Sequence, residues 1–229
     1  MVTTTPLTDT PTLPITDIYV KTYSRDAEYH KYCVRSIEKF CSGFRNLVVE
    51  NKEQQRGYMA QQSSKMYSDT HTDAEFILVT DSDTLFVSPV TPQTFMVDGK
   101  PIWIHTPWTP EMLTHPGTAA WKRVMTEFFG SEPNSEKMRR QPFVFPRKVL
   151  QTLREYCFQK HRKSLDDYIM GADAFSEWNV LGEHCWRHHH DMFHWVDSSV
   201  DPLPELTVLQ TWSHDPLEKN VPTFNQILA

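Results

Sequence analysis

The sequence predicts an α/β domain with a mixed, mostly parallel central sheet. Three observations carry that prediction. Strand-like and helix-like segments alternate from Asp17 to Val90. One segment, residues 74–80 (AEFILVT), is an unbroken apolar run of the kind buried on both faces of a parallel sheet. The chain of 229 residues is 39% hydrophobic and 12% aromatic, enough to close one sizeable core.

Residues 1–14 are rich in Thr and Pro and read as a flexible tail, leaving residues 15–229 for the domain. Residues 17–22 (DIYVKT) alternate with β-branched and aromatic side chains, which predicts a strand. Tyr29, Cys33, Ile37 and Phe40 then recur at helical spacing, and Gly43 marks the stop. Residues 44–49 (FRNLVV) supply a second strand, 50–56 a polar loop and 57–69 a helix. The apolar run 74–80 forms the third strand, and a further strand is expected over 84–90, closed by Pro89 and Pro92. Helices follow over 119–129, 146–160 and 166–174. From Trp178 to Trp212 aromatics and histidines dominate without clear periodicity, and no elements are assigned there.

The formal net charge is −6, so the chain has no global basic field for gripping a nucleic-acid backbone. Small-molecule substrates suit this balance better. Cys33, Cys41, Cys157 and Cys185 lack paired spacing, and no charged and apolar leader opens the chain. Reduced thiols in the cytoplasm are expected, with no membrane partner, since no run is long enough to span a bilayer.

The chemistry is expected where the apolar strand 74–80 ends abruptly in Asp81-Ser82-Asp83. In open α/β sheets ligands bind outside the carboxyl ends of the strands. Two carboxylates one residue apart on a turn can face one hard cation, Mg2+ or Mn2+, and such cations bridge to substrate phosphates. A lone D-x-D triplet is weak, because Asp and Ser favour turns for local hydrogen-bonding reasons. The setting strengthens it. The preceding helix carries Tyr58, Gln61, Gln62 and Lys65 at i, i+3, i+4 and i+7, one polar face.

Taken together, GYMAQQSSKMYSD (57–69), FILVTDSDTLF (76–86), FSEWNVLG (175–182) and TWSHD (211–215) resemble the small GT-A-type glycosyltransferases of bacteria and large DNA viruses, many known only as an uncharacterised family. The resemblance covers nearly all of the chain after the first 14 residues. It implies a single Rossmann-like GT-A domain, a nucleotide-sugar donor such as a UDP-sugar, and Mn2+ (or Mg2+). Cytoplasm would mean that of a host cell for a viral chain. Carried over by residue, it implies Asp83 and His214 as metal ligands, with Asp81 touching the donor or the metal. Imidazole is acceptable to Mn2+ and other borderline cations.

The end of the first strand, Val20, Lys21, Thr22 and Tyr23, is where this fold type receives base and ribose, and Asp26 is placed to orient Lys21 or the base. Lys21 and Lys65 are candidates to neutralise phosphate, and Gln62 and Ser82 to contact the donor. Glu177, flanked by aromatics, is the candidate base or acceptor-binding carboxylate, with Asp173 as runner-up.

The run WRHHHD (186–191) lacks the spacing of a zinc site. Trp103, Trp108 and Trp178 fit a core better than a sugar platform. Arg139 and Arg140 read as a solvated pair rather than an anion site. A carbohydrate acceptor is favoured over a hydroxylated DNA base, which the acidic charge disfavours. A nucleotidyltransferase would bring a glycine-rich phosphate loop after the first strand, and KTYSRD (21–26) has no glycine.

Overall fold

The computed structural model describes residues 1–8, 10–53, 57–139, 141–212 and 215–229. The strands are β1 (Val2–Pro6), β2 (Thr16–Thr22), β3 (Asn46–Asn51), β4 (Phe76–Asp81), β5 (Thr84–Phe86), β6 (Met96–Val97), β7 (Lys100–Pro107), β8 (Ser135–Glu136), β9 (Phe143–Pro146), β10 (His194–Asp197) and β11 (Val208–Gln210). The helices are α1 (Ala27–Phe40), α2 (Gly57–Lys65), α3 (Pro110–Thr114), α4 (Pro116–Phe129), α5 (Lys148–His161), α6 (Leu165–Gly171), α7 (Glu177–His188) and α8 (Val221–Leu228).

The central sheet runs β1-β3-β2-β4-β9. Strands β3, β2 and β4 are parallel, flanked by antiparallel β1 and β9. The mixed α/β sheet expected from the sequence is therefore present. Its alternation sorts side chains onto two buried faces. Ile18 and Val20 of β2 and Leu78 of β4 pack under α1 with Cys33 and Ile37. Tyr19, Ile77 and Val79 face the opposite way, into the larger cluster with α4 to α7. By the same alternation Lys21 and Asp81, register partners at the carboxyl ends of β2 and β4, share the second face.

Several expectations are corrected. The opening residues are not a free tail, because Val2–Pro6 pairs along β3 as an edge strand. Its three threonines favour extended backbone, and Pro6 is tolerated at an edge. The strand expected over 84–90 stops at Phe86. Beyond it, Val87 N–H bonds Thr207 O, and Val90 pairs with Cys41. The unassigned stretch 100–107 is β7, centre of a second sheet with β10 parallel to it and β6 and β8 antiparallel. After β10, β11 returns to pair antiparallel with β5, and α8 sets Phe224 against Tyr29 and Tyr32 of α1.

Candidate active site

At the carboxyl ends of β2 and β4 lies a cavity of about 650 Å3. Its walls include Lys21, Tyr23, Lys65, Asp81 and Glu177, five of the residues singled out from sequence. They come from four separate elements. Asp81 ends β4, Lys65 ends α2, Glu177 begins α7, Lys21 lies near the end of β2 and Tyr23 just beyond it.

Lys65 ties three of these elements together. Its Nζ stands 2.5 Å from Asp81 Oδ1 and 2.9 Å from Glu177 Oε1, and 5.5 Å from the centre of the Trp178 ring. The Lys65 and Glu177 side chains are each 4% exposed, that of Asp81 17%. Burial by itself lowers an ammonium pKa, but here the two carboxylates outweigh it and the Lys65 pKa is raised. The contact with Asp81 Oδ1 is an ion pair without an aligned hydrogen bond. The other oxygen, Oδ2, accepts from Gln141 Nε2, and Gln141 Oε1 receives Asp81 N–H at 3.0 Å. Glu177 Oε2 is buried with no hydrogen-bond partner among the described residues. One oxygen of this carboxylate is therefore held by Lys65 and the other is uncommitted.

The remaining sequence candidates behave differently. Gln62 is buried, and its Oε1 accepts Glu177 N–H at 3.0 Å, so it caps α7 instead of meeting a donor. The α2 stripe is therefore not a single solvated or ligand face: Tyr58, Gln61 and Lys65 line the cavity while Gln62 braces α7. Ser82 is buried and donates to Asp26 Oδ2 at 3.1 Å, bracing the turn from behind. Asp26 thus orients Ser82, not Lys21. Val20 lies wholly in the apolar cluster under α1, with its backbone paired on both sides, and does not reach the cavity. Thr22 is buried and is not part of the wall. Lys21 Nζ is spent on the carbonyls of Thr22 (2.6 Å) and Lys52 (2.9 Å), and burial lowers its pKa, which weakens its case as a phosphate ligand. Asp173 is exposed and lines a separate cavity with Arg123, Lys163 and Tyr168, away from Glu177.

Asp83 is half-buried, and its carbonyl accepts from Thr211 N–H (3.1 Å) and Thr211 Oγ1 (2.5 Å). This anchors the return of the chain through β11. Its carboxylate is one of the groups raising the pKa of Tyr23, after burial and Asp26, which places it near that wall residue. His214 and Arg140 lie outside the described residues. Among the described residues no cluster of three His, Cys, Asp or Glu is arranged to hold a metal. A divalent cation here would need hard oxygen donors, of which the half-buried Asp83 carboxylate on the turn is one. The diphosphate and water would have to complete the shell. Asp81 fits less well, because both of its oxygens already face Lys65 and Gln141.

Sequence reasoning missed Gln141, Trp121, Met138 and Gln210, and gave Trp212 no role although it quoted the motif containing it. No local pattern marks Gln141; it reaches Asp81 only because β9 runs antiparallel to β4. Trp103 and Trp178 are core, as expected: Trp178 stacks on Phe143 with ring centres 4.2 Å apart. His184 and His189 share the Thr152 hydroxyl.

No protein-family model matches the chain, and no curated protein matches it either. Among solved structures it is similar to the galactosyltransferase LgtC, crystallised with donor and acceptor sugar analogues. The TM-score is 0.52 at 10% identity, over 93% of this chain and 95% of that one. Likeness at this identity speaks for the fold, and it bears out the GT-A-like α/β architecture.

Proposed function

We propose that this chain is a glycosyltransferase that moves a sugar from a nucleotide-diphosphate donor to an acceptor hydroxyl, most naturally on a carbohydrate. The observation that carries the reading is the convergence of Asp81, Lys65 and Glu177 on one cavity at the carboxyl ends of the parallel strands, in a fold similar to a galactosyltransferase. Base and ribose lie against Tyr23, at the end of β2. The exposed Arg25 and Lys52 at the rim, rather than Lys21, meet phosphate charge.

Asp83, with His214 as the expected second ligand, would hold Mn2+ or Mg2+. When bound, the cation offsets charge on the departing diphosphate. Glu177 Oε2 has no protein partner among the described residues and is the oxygen we assign to the acceptor hydroxyl. Asp173 has no part in this, since it lines another cavity. Lys65 holds the other oxygen, Oε1, at 2.9 Å, which fixes the carboxylate in place.

The test is donor hydrolysis across UDP-, GDP-, dTDP- and CMP-sugars, with Mn2+ or EDTA, in wild type and Asp83→Ala. Metal-dependent release from one donor is expected, reduced about a hundredfold or more in the variant with the fold retained. Full activity in Asp83→Ala sinks the metal assignment. Silence across the panel, joined to no nucleotide binding by calorimetry, would replace the enzyme reading with a binding module.

A further inference from the structure

A second cavity, of about 380 Å3, lies against the first. The two meet at a shared partition. Gln141 lines the second cavity while its amide grips Asp81, a wall of the first. On the other flank runs β11, with Thr207 just before it lining the second cavity and Gln210 at its end lining the first. Phe143 pairs with Val79 near the carboxyl end of β4, so the second cavity opens at the same end of the sheet as the first.

The wall chemistry is specific. Phe95, Ile102, Ile104, Phe143 and Val144 give it an aliphatic and aromatic lining. Glu205 is the one ionisable side chain among the described lining residues, and no lysine or arginine is there to meet a phosphate or carboxylate. Polar contact is limited to a few side chains such as Gln141, Thr94 and Thr207. A site of this size and lining suits a small apolar group oriented by a few hydrogen bonds. An anion would be desolvated there without a partner.

We propose that the second cavity binds an uncharged apolar ring or short chain, the aglycone carried by the acceptor sugar. The word acceptor rests on the glycosyltransferase reading; the apolar site does not. Because its occupant touches Gln141, it lies one side chain away from Asp81.

The experiment titrates whole protein with N-phenyl-1-naphthylamine, a neutral arylamine that fluoresces in apolar surroundings, and with 1-naphthalenesulfonate in competition. Two variants are compared with wild type. Ile104→Trp fills the cavity. Leu206→Glu adds charge at a lining residue that is 58% exposed, where the fold tolerates it. Saturable binding is expected in wild type, at least tenfold weaker in both variants, with the sulfonate at least tenfold weaker than the amine. No saturable binding, equal affinity in the variants, or preference for the sulfonate overturns the site. Calorimetry with UDP and Mn2+ separates the two readings. UDP binding without naphthylamine binding sinks the second site alone. Naphthylamine binding without UDP binding sinks the donor reading and the acceptor assignment with it.

Discussion

Replacing Lys65 by Met is expected to be among the most destabilising single changes near the cavity. In the wild type one ammonium lies 2.5 Å from Asp81 Oδ1 and 2.9 Å from Glu177 Oε1, with little solvent on any of the three. The Lys65 pKa is raised above its ordinary value, so the stabilisation is complete below the unfolded lysine value and is lost only as pH rises through the folded one. Across neutral pH it is fully present. The Met side chain fills similar volume but leaves two carboxylates without a counter-charge. Breaking a buried pair from one side costs about 3–5 kcal/mol. For a chain of this length each kcal/mol moves Tm by roughly 2–4 °C, so a fall of about 6–20 °C is expected. Circular dichroism during thermal and urea unfolding at pH 7 measures it. The double variant Lys65→Met/Glu177→Gln removes one of the two stranded charges and should recover a large part of the loss. A loss under about 1 kcal/mol, or no recovery in the double variant, would refute the argument that Lys65 is the internal cation of this site.

Two further perturbations probe the scaffold. In Gly182→Ala the new methyl would lie 2.7 Å from Lys137 Cβ and 2.9 Å from the Trp103 ring. Trp103 is fixed by ring contacts to Phe143 and Phe193, so overpacking of about 1–3 kcal/mol should outweigh the gain of about 1 kcal/mol in helix propensity. A raised Tm would show that the close approach is not real. His184 is buried, and desolvation first, then His188 and His189, lowers its pKa to about 3. Its neutral form therefore contributes stability above about pH 6.5 that is lost as pH falls toward the folded value, by about 1.4 kcal/mol per unit. Urea midpoints between pH 6 and 4 should depend less on pH in His184→Gln, and an unchanged slope would contradict a buried neutral imidazole.

The Asp81 end of the cavity was legible because two local signals coincide there. The apolar run into Asp81-Ser82-Asp83 can only be a buried strand meeting a polar end, and period-two alternation decides which side chains share a face. Glu177 stood out because FSEW sets a carboxylate among aromatics, and Phe175, Glu177 and Trp178 are all buried. Lys65 was legible as a cation on α2, but not its partners. An ion pair spanning 112 residues of sequence leaves no local periodicity.

Between residues 17 and 81 the sequence by itself determined which segments are strands and which helices, and that charge gathers where β2 and β4 end. Those follow from residue-by-residue preference and alternation, which act over a few positions. Tertiary structure alone decided how the polar side chains are spent. Gln62 caps α7, Ser82 braces Asp26, Lys21 bonds carbonyls, and Gln141 arrives from an antiparallel edge strand to hold Asp81. It also turned the Thr-rich opening from tail to edge strand, because β3 offers an unpaired edge that only the assembled sheet possesses. A buried polar group must find a partner, and which partner lies within reach is a property of the packed chain rather than of any stretch of it.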